Sequence, residues 1–431
     1  MTSAEAVRFL YGLERFGIKA GLRNISLLLA SLDHPESAYP SIHVAGTNGK
    51  GSTSSILASV LSASGFRTGL YTSPHLIDFT ERIRIDGVPI SPRRLAAYTE
   101  RIHPLVRKLR ATFFEATTAI AFAWFADEEV DCAVIETGLG GRLDATNVVR
   151  PAVSVITTIG LDHMEHLGRT PSAILREKAG IVKTGIPVVS GIRQPDLQIR
   201  LERIAAERHA PCFRAGGEAE CRIVSASFGG SEIAVRSRKW NLSRVFLRLP
   251  GAYQAENLRN AVAALAHLPD VLRRRITADA IRRGCASLPA RTGLRGRLEL
   301  IAGEPPTVID VGHNPDGIGT AVASFRKLAP SPWLVVFGVM RDKDAGSMAR
   351  LLAPAARLVI AVEPQTTRAL GSHKVAEAVW SAGGRAIAAG TVENGLRLAR
   401  AERRRGEPLL LIGSHYLAGE ALKFFQENRL T

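Results

Sequence analysis

Cysteine is scarce and scattered. The four in 431 residues, Cys132, Cys212, Cys221 and Cys285, form no CxxC pair and no zinc-type spacing, which fits incidental thiols in a reducing cytosol. No stretch approaches the roughly 18 uninterrupted apolar residues of a membrane span. The opening MTSAEAVRFLYGLERFG carries acidic residues and no sustained apolar core, so no secretory signal is expected. A cytoplasmic protein without a membrane partner follows from these three absences. Acidic residues are outnumbered: 40 Asp and Glu face 56 Lys and Arg, for a formal net charge of +16. Such a balance raises nucleic acid as a partner. The arginines, however, lie along amphipathic helices (LRRRITADAIRRG, LRLARAERRRG) without the aromatic interleaving of a single-strand binder. A positive field suited to small polyanionic substrates is the expectation, with no nucleic acid.

What is present is a regular alternation of strand and helix. SIHVAG reads as a strand, STSSILASVLSASG as a helix closed by a glycine, and RTGLYTSP as the next strand. TTAIAFAWFADEEV is helical, while DCAVIETG and AVSVITTIG are buried strands. Strands joined by helical crossovers predict a mainly parallel sheet covered on both faces, with ligands gathered at the carboxyl ends of its strands. From Pro211 to Leu249 the texture changes to hairpin-like alternation, a small antiparallel annex, followed by the helix AENLRNAVAALAHL. A second α/β rhythm starts near residue 296 with PTVIDVGHN, WLVVFGVM, LVIAVEP and PLLLIGS. The sequence therefore predicts an α/β protein of two domains. The first, 1–293, is a P-loop-containing, mainly parallel ATPase domain with the annex; the second, 294–431, is smaller and Rossmann-like. No exposed apolar helix demands a partner, so a monomer is expected.

The chemistry concentrates where strands end. HVAGTNGKGST, residues 43–53, places glycines, a lysine and hydroxyls directly after an apolar strand, as a phosphate-binding loop does. The match to G-x-x-x-x-G-K-[ST] is imperfect: Val44 stands where the first glycine belongs, and Gly51 separates Lys50 from Ser52. An ordinary glycine-rich turn is the competing reading. Glu136 ends the strand CAVIE, either as an Mg²⁺ ligand near that loop or as a simple strand cap. His163 follows VSVITTIG at the same sheet edge, as a metal or phosphate contact or as a structural histidine. Lys178 and Lys183 in REKAGIVK sit among small and apolar neighbours, where a lysine is neutral, paired or chemically modified. Phe113 and Phe114 offer flat faces for a ring, or else open a helix as ordinary core.

The order and spelling of GTNGKGS, YTSPHL, FFEATTAIAF, ETGLGGRLDATN, GLDHMEHLG, REKAGIVK, GAYQAEN, GRLE, DVGHN, DKD and GSHYLAG resemble the dihydrofolate synthase/folylpolyglutamate synthase family of Mur-type ATP-dependent amide ligases. The resemblance spans about residues 20 to 420. It implies that ATP phosphorylates a carboxylate and that the acyl phosphate is attacked by L-glutamate. The acid would be dihydropteroate, the γ-carboxyl of a reduced folate, or both. Gly46, Thr47, Asn48, Gly49, Lys50, Gly51 and Ser52 would wrap the phosphates of ATP. Ser73 and Glu136 would hold one Mg²⁺. His163 and Lys178, the latter at a position carbamylated in the family, would hold a second, and a monovalent cation is a further expected cofactor. Asn257, Arg297 and Asp310 would meet the nucleotide, Arg297 and Asp310 from the second domain, and His313 would help place glutamate. Lys50, Lys178, Arg297 and His313 are thus the catalytic candidates. For the pterin side the matching positions are Lys19, Ala20 and Gly21; Thr112, Phe113, Phe114 and Glu115; and Leu143, Asp144 and Ala145. ETG and GAYQ depart from the commoner EVG and GxHQ, the second putting Tyr253 near the nucleotide contacts. A nucleotide switch or nucleic-acid ATPase would need a Walker-B acid pair, and this chain offers the single Glu136. A scaffold on a decayed ligase frame would have lost Lys50, Glu136, His163 or Lys178. A Mur-like ligase for another acid fits TSPHL and FFE less well.

Overall fold

A computed structural model describes residues 1–13, 17, 19 and 21–428, and Ala20, one of the pterin-side candidates, lies outside them. Among the described residues three sheets form. The largest contains β1 (Ser41–Ala45), β2 (Thr68–Tyr71), β3 (Ile83–Ile85), β4 (Val88–Pro89), β5 (Cys132–Glu136), β6 (Val153–Ile156), β7 (Val188–Ser190) and β8 (Cys212–Arg214), in the order β4-β3-β2-β5-β1-β6-β7-β8. From β2 through β8 every neighbouring pair is parallel, and only the β4–β3–β2 edge is antiparallel. Every residue of SIHVA and of CAVIE is buried, the continuous apolar texture that a strand covered on both faces requires.

The helix Lys50–Ala63 leaves β1 and is buried almost all round, because its small Ser, Thr, Gly and Ala side chains admit close neighbours on every side. The helix Phe113–Asp127 is buried over most of its length and fills one core, with Phe122 and Phe125 inaccessible to solvent. Both run between parallel strands, as the alternation predicts.

β9 (Ala219–Ser227), β10 (Gly230–Ser237) and β11 (Asn241–Leu247) form a three-stranded sheet in the order β11-β10-β9. Connections of two and three residues leave no room for a crossover, so neighbours run antiparallel. The third sheet holds β12 (Glu299–Ala302), β13 (Thr307–Ile309), β14 (Trp333–Phe337), β15 (Ala356–Glu363), β16 (Ala386–Thr391) and β17 (Leu409–Ile412), ordered β12-β13-β17-β14-β15-β16. It is parallel except for β12, and its core is built on Trp333, Phe325 and Phe337.

The chain divides into two compact units. One takes Met1–Arg222, Ile233–Phe246 and Ala255–Leu294; the other takes Ile223–Glu232, Leu247–Gln254 and Arg295–Thr431. Among the described residues no helix is long and apolar enough to cross a membrane.

Candidate functional site

Three adjacent strand ends build the site of the first unit. β1 lies between β5 and β6, with Val44 opposite Glu136 and Ala45 opposite Ile156. The loop leaving β1 is clasped by the residues leaving β6. Thr47 N–H donates to the Thr158 carbonyl (2.8 Å), Asn48 N–H to the Thr158 hydroxyl (3.0 Å), and the Thr157 hydroxyl to the Asn48 carbonyl (2.7 Å). The Thr47 hydroxyl closes the clasp on Gly160, donating at 3.2 Å and accepting at 3.0 Å. A Cβ on Gly46 would stand 1.8 Å from Thr157 Oγ1, so glycine is what permits this approach. Gly49, left-handed at φ 85°, caps the helix Lys50–Ala63 without a side-chain bond. The first-turn N–H groups of that helix, including those of Gly51 and Ser52, are thereby left for an anion. Asn257 stands against this point: a Cβ on Gly49 would meet its amide oxygen at 2.4 Å.

Two lysines converge on one carbonyl. Lys50 Nζ donates to the Gly46 oxygen at 3.0 Å and to that of Thr47 at 3.3 Å, and Lys178 Nζ donates to the same Gly46 oxygen at 2.7 Å. Lys178 is 4% exposed. Burial first, then the charge of Lys50, pull its pKa down to about 7, against the opposing charges of Asp162 and Asp144.

Glu136 is buried at the end of β5 and accepts the Ser73 N–H at 3.2 Å. A carboxylate beside a serine offers the hard oxygen donors that Mg²⁺ prefers, so these two residues fit the ion. His163 precedes the short helix Met164–Leu167 in a left-handed conformation, with its N–H on Asp162 Oδ1 at 2.9 Å and its ring 3.9 Å from the same carboxylate.

The acceptor-side candidates separate by what they do locally. Thr112 and Glu115 cap the helix Phe113–Asp127 reciprocally, with Thr112 N–H on Glu115 Oε2 at 2.7 Å and Glu115 N–H on Thr112 Oγ1 at 3.2 Å. Phe113 stacks on Tyr11 (5.9 Å between centroids, 12° between planes), takes Phe79 edge-on at 5.8 Å, and has the Arg82 guanidinium 5.1 Å from its ring. Phe114 lies 5.9 Å from the Tyr71 ring. Both phenylalanines pack against the core while staying half-exposed. Asp144 is buried, and its carboxylate accepts from Leu139 N–H (2.7 Å), Thr146 N–H (3.0 Å) and the Thr146 hydroxyl (2.5 Å); burial raises its pKa. Leu143 and Ala145 flank it. Lys19 is exposed, with Nζ on the Arg110 carbonyl at 2.7 Å, and Gly21 precedes the helix Arg23–Ala30.

In the second unit Asp310 follows β13, buried, accepting from Leu298 N–H at 2.9 Å, Gly312 N–H at 2.7 Å and the Tyr253 hydroxyl at 3.4 Å. Burial raises its pKa, and the charge of Arg297 opposes this. His313 Nδ1 bonds the Val311 carbonyl at 3.0 Å, and its ring lies 5.1 Å from that of His415.

Comparison with known proteins meets this geometry from outside. Residues 44–266 match the Mur ligase middle domain, and residues 296–415 match the Mur ligase glutamate ligase domain. The dihydrofolate synthase/folylpolyglutamate synthase of Bacillus subtilis is 37% identical over 365 residues, 82% of this chain and 84% of its own. The chain belongs to the dihydrofolate synthase/folylpolyglutamate synthase family. Two solved members have the same fold. Mycobacterium tuberculosis folylpolyglutamate synthase complexed with ADP aligns at TM-score 0.88 and 32% identity, covering 98% of this chain and 99% of that one. Escherichia coli FolC in complex with DHPP and ADP aligns at TM-score 0.86 and 28% identity over all of both chains.

Several residues of this family member escaped the sequence reading. Thr157 and Thr158 form the loop clasp, and the polar pair in VITTIG, unusual at the end of an apolar strand, was the available signal. Asp162, buried beside His163, bears electrostatically on Lys178. His75, inside the quoted YTSPHL, receives Arg82 Nε–H on Nδ1 at 2.8 Å and contacts the Tyr11 hydroxyl through Nε2 at 3.1 Å. The sequence does not announce this cluster, because Tyr11 lies 64 residues from His75 and meets it only in the fold.

Proposed function

We propose that the protein is an ATP-dependent ligase that joins L-glutamate to dihydropteroate, to the γ-carboxyl of a reduced folate, or to both. The observation that carries this reading is the Lys50 ammonium on the Gly46 carbonyl, with the buried Lys178 on the same oxygen, inside a clasped glycine loop at the end of a central parallel strand. Such a point attracts a polyphosphate and leaves its terminal phosphoryl group open to attack. The names and bound ligands of the relatives supply the acceptor and the donor.

In this reading the acceptor carboxylate attacks the γ-phosphorus of ATP, and the bond to the β-bridging oxygen breaks to release ADP. The amine of glutamate then attacks the acyl carbon, loses a proton and expels phosphate, leaving an amide. Within the loop Gly46 to Ser52 the phosphates are held through the first-turn N–H groups such as those of Gly51 and Ser52, with Lys50 toward their β/γ end, while the Thr47 and Asn48 N–H groups hold the loop to Thr158. Ser73 and Glu136 would hold one Mg²⁺, and His163 with Lys178 a second; the ions would screen charge between the triphosphate and the acid. Lys178, with its pKa near 7, offers the unprotonated amine that adds to CO₂ to give a carbamate and a released proton, a donor suited to Mg²⁺ where an ammonium is not. Asn257, Arg297, Asp310 and His313 keep the roles that the family pattern gives them. The segments around Gly21, Phe113 and Asp144 are assigned to the pterin side. We take the enzyme to act as a cytoplasmic monomer on small molecules.

ADP release from purified protein decides the matter. It is expected with ATP, glutamate and either dihydropteroate or a reduced folate. Turnover restricted to UDP-linked muropeptide acceptors would overturn the assignment.

A further inference from the structure

Two segments some 35 residues apart in sequence lie against each other behind the phosphate loop. One is the turn 138–148, which carries Leu143, Asp144 and Ala145; the other is 176–183, which carries Lys178. Arg142 N–H donates to the Glu177 carbonyl at 2.7 Å, and its guanidinium reaches the Glu177 carboxylate at 2.9 Å. That ion pair is half-exposed on the arginine side and contributes little by itself. The buried contacts differ in kind. Asn147, 6% exposed, donates from Nδ2 to the Arg142 carbonyl at 3.0 Å and to the Gly180 carbonyl at 3.2 Å. Its own carbonyl accepts Lys183 Nζ at 2.7 Å.

Backbone meets backbone at the same place. A Cβ on Gly141 would fall 2.7 Å from the Lys178 carbonyl oxygen, and one on Gly180 would fall 2.3 Å from Arg142 Cα. The orientation of the Asn147 amide is dictated by its surroundings, since two carbonyls demand its N–H groups. Oδ1 accepts no hydrogen bond among the described residues. An asparagine that commits both hydrogens to carbonyls of two separate segments serves as a cross-link.

We infer that Asn147 is a positioning residue, locking the acceptor-side segment Leu143–Ala145 to the turn that follows Lys178 so that acid and lysine keep a fixed spacing. What the two segments hold rests on the function proposed above; the lock itself does not. In Asn147→Asp a carboxylate faces two carbonyl oxygens and the cross-link opens. kcat is expected to fall about 100-fold, the scale of an ångström-sized misplacement, with KM for ATP within about twofold. Gly180→Ala forces the same backbones apart and should give the same split. The double variant should lose no more than the worse single one, because both open one contact.

If Asn147→Asp does not fold, Lys183→Met carries the test from the outer side, with an expected loss of about fivefold in kcat and unchanged KM for ATP. Parallel losses in every kinetic parameter, full activity in the folded variants, or additive effects would overturn the inference. Hydrogen exchange reads the lock without any substrate: Asn147→Asp should lose protection in 138–148 and 176–183 together. Loss in one segment alone, or in neither, defeats it. A wild-type protein without glutamate-dependent ADP release would defeat the functional reading and leave the exchange result standing.

Discussion

The two parallel sheets finish their strands in opposite electrostatic ways. At the end of β1, the hydrogen-bond acceptors of Lys50 and Lys178 among the described residues are backbone carbonyls, while Asp162 and Asp144 act on Lys178 as charges alone. At the end of β13, Asp310 takes two backbone N–H groups and a tyrosine hydroxyl from its own unit, and the Arg297 charge offsets part of its burial. A charge balanced inside the fold is support for the fold. Cations held by carbonyl dipoles leave an excess that an anion from outside completes. The contrast supports the proposal that the polyphosphate binds at the first unit.

The most direct way to break that contrast is Lys50→Ala. Lys50 is half-buried and ties only its own loop, so the variant should melt within a few degrees of wild type. Turnover, measured as ADP release, should fall about 10³-fold, the scale of losing one preorganised charge at a reacting phosphoryl group. Near-normal turnover would mean that the converging lysines are ordinary loop architecture and that the comparison teaches nothing about function.

Arg297 sharpens the other side. Its Nε is buried without a hydrogen-bond partner among the described residues, which is a poor arrangement for a purely structural arginine. If Arg297 acts on the transition state, Arg297→Ala should lower kcat about 10- to 100-fold while the Kd for ATP moves less than about threefold. A change confined to ATP affinity would reduce it to a ground-state contact, and no change in either would make it part of the Asp310 support.

What could be read from the chain divides along the same physical line. SIHVA, CAVIE and WLVVF are mostly apolar runs bounded by glycine or polar loops, and each is a fully buried parallel strand. β16 (AIAAGT) was not legible, because alanine and glycine carry little strand signal and its place comes from pairing with β15. The β3–β4 edge, IRIDGVP, is too short and too charged to announce itself. Lys50 and Glu136 stand out in the sequence because a charged residue is conspicuous where an apolar strand ends, and Lys178, at the end of the helix Pro171–Lys178, because it sits among small and apolar neighbours. Asn147 and Thr157 do not stand out, since Asn147 reaches Gly180 33 residues away and Thr157 reaches Asn48 109 residues away, and only the fold brings these near; nor does Asp162, whose bearing on Lys178 the fold also creates.

His43 gives an effect on stability alone, absent near neutral pH and specific to the first unit. It is fully buried in β1, with Nε2 on the Thr146 hydroxyl at 2.8 Å, whereas His313 and His415 of the second unit are half-exposed. The Thr146 hydroxyl gives its only proton to Asp144, so Nε2 of His43 carries the hydrogen and the ring is neutral. Burial, with a lesser push from the Lys183 charge, takes its pKa down to about 3. The unfolded chain would protonate this histidine near pH 6.5. Between about pH 6.5 and 3 the unfolded state therefore binds a proton that the folded state refuses. Stability is lost as the pH falls through that window, by up to about 1.4 kcal/mol per pH unit, and is unaffected by this group above it. His43→Asn should unfold with a shallower acid dependence, shifted by close to one proton, in denaturant titrations at stepped pH. Identical slopes for variant and wild type would show that the first unit's acid sensitivity arises elsewhere than in the strand beneath the loop.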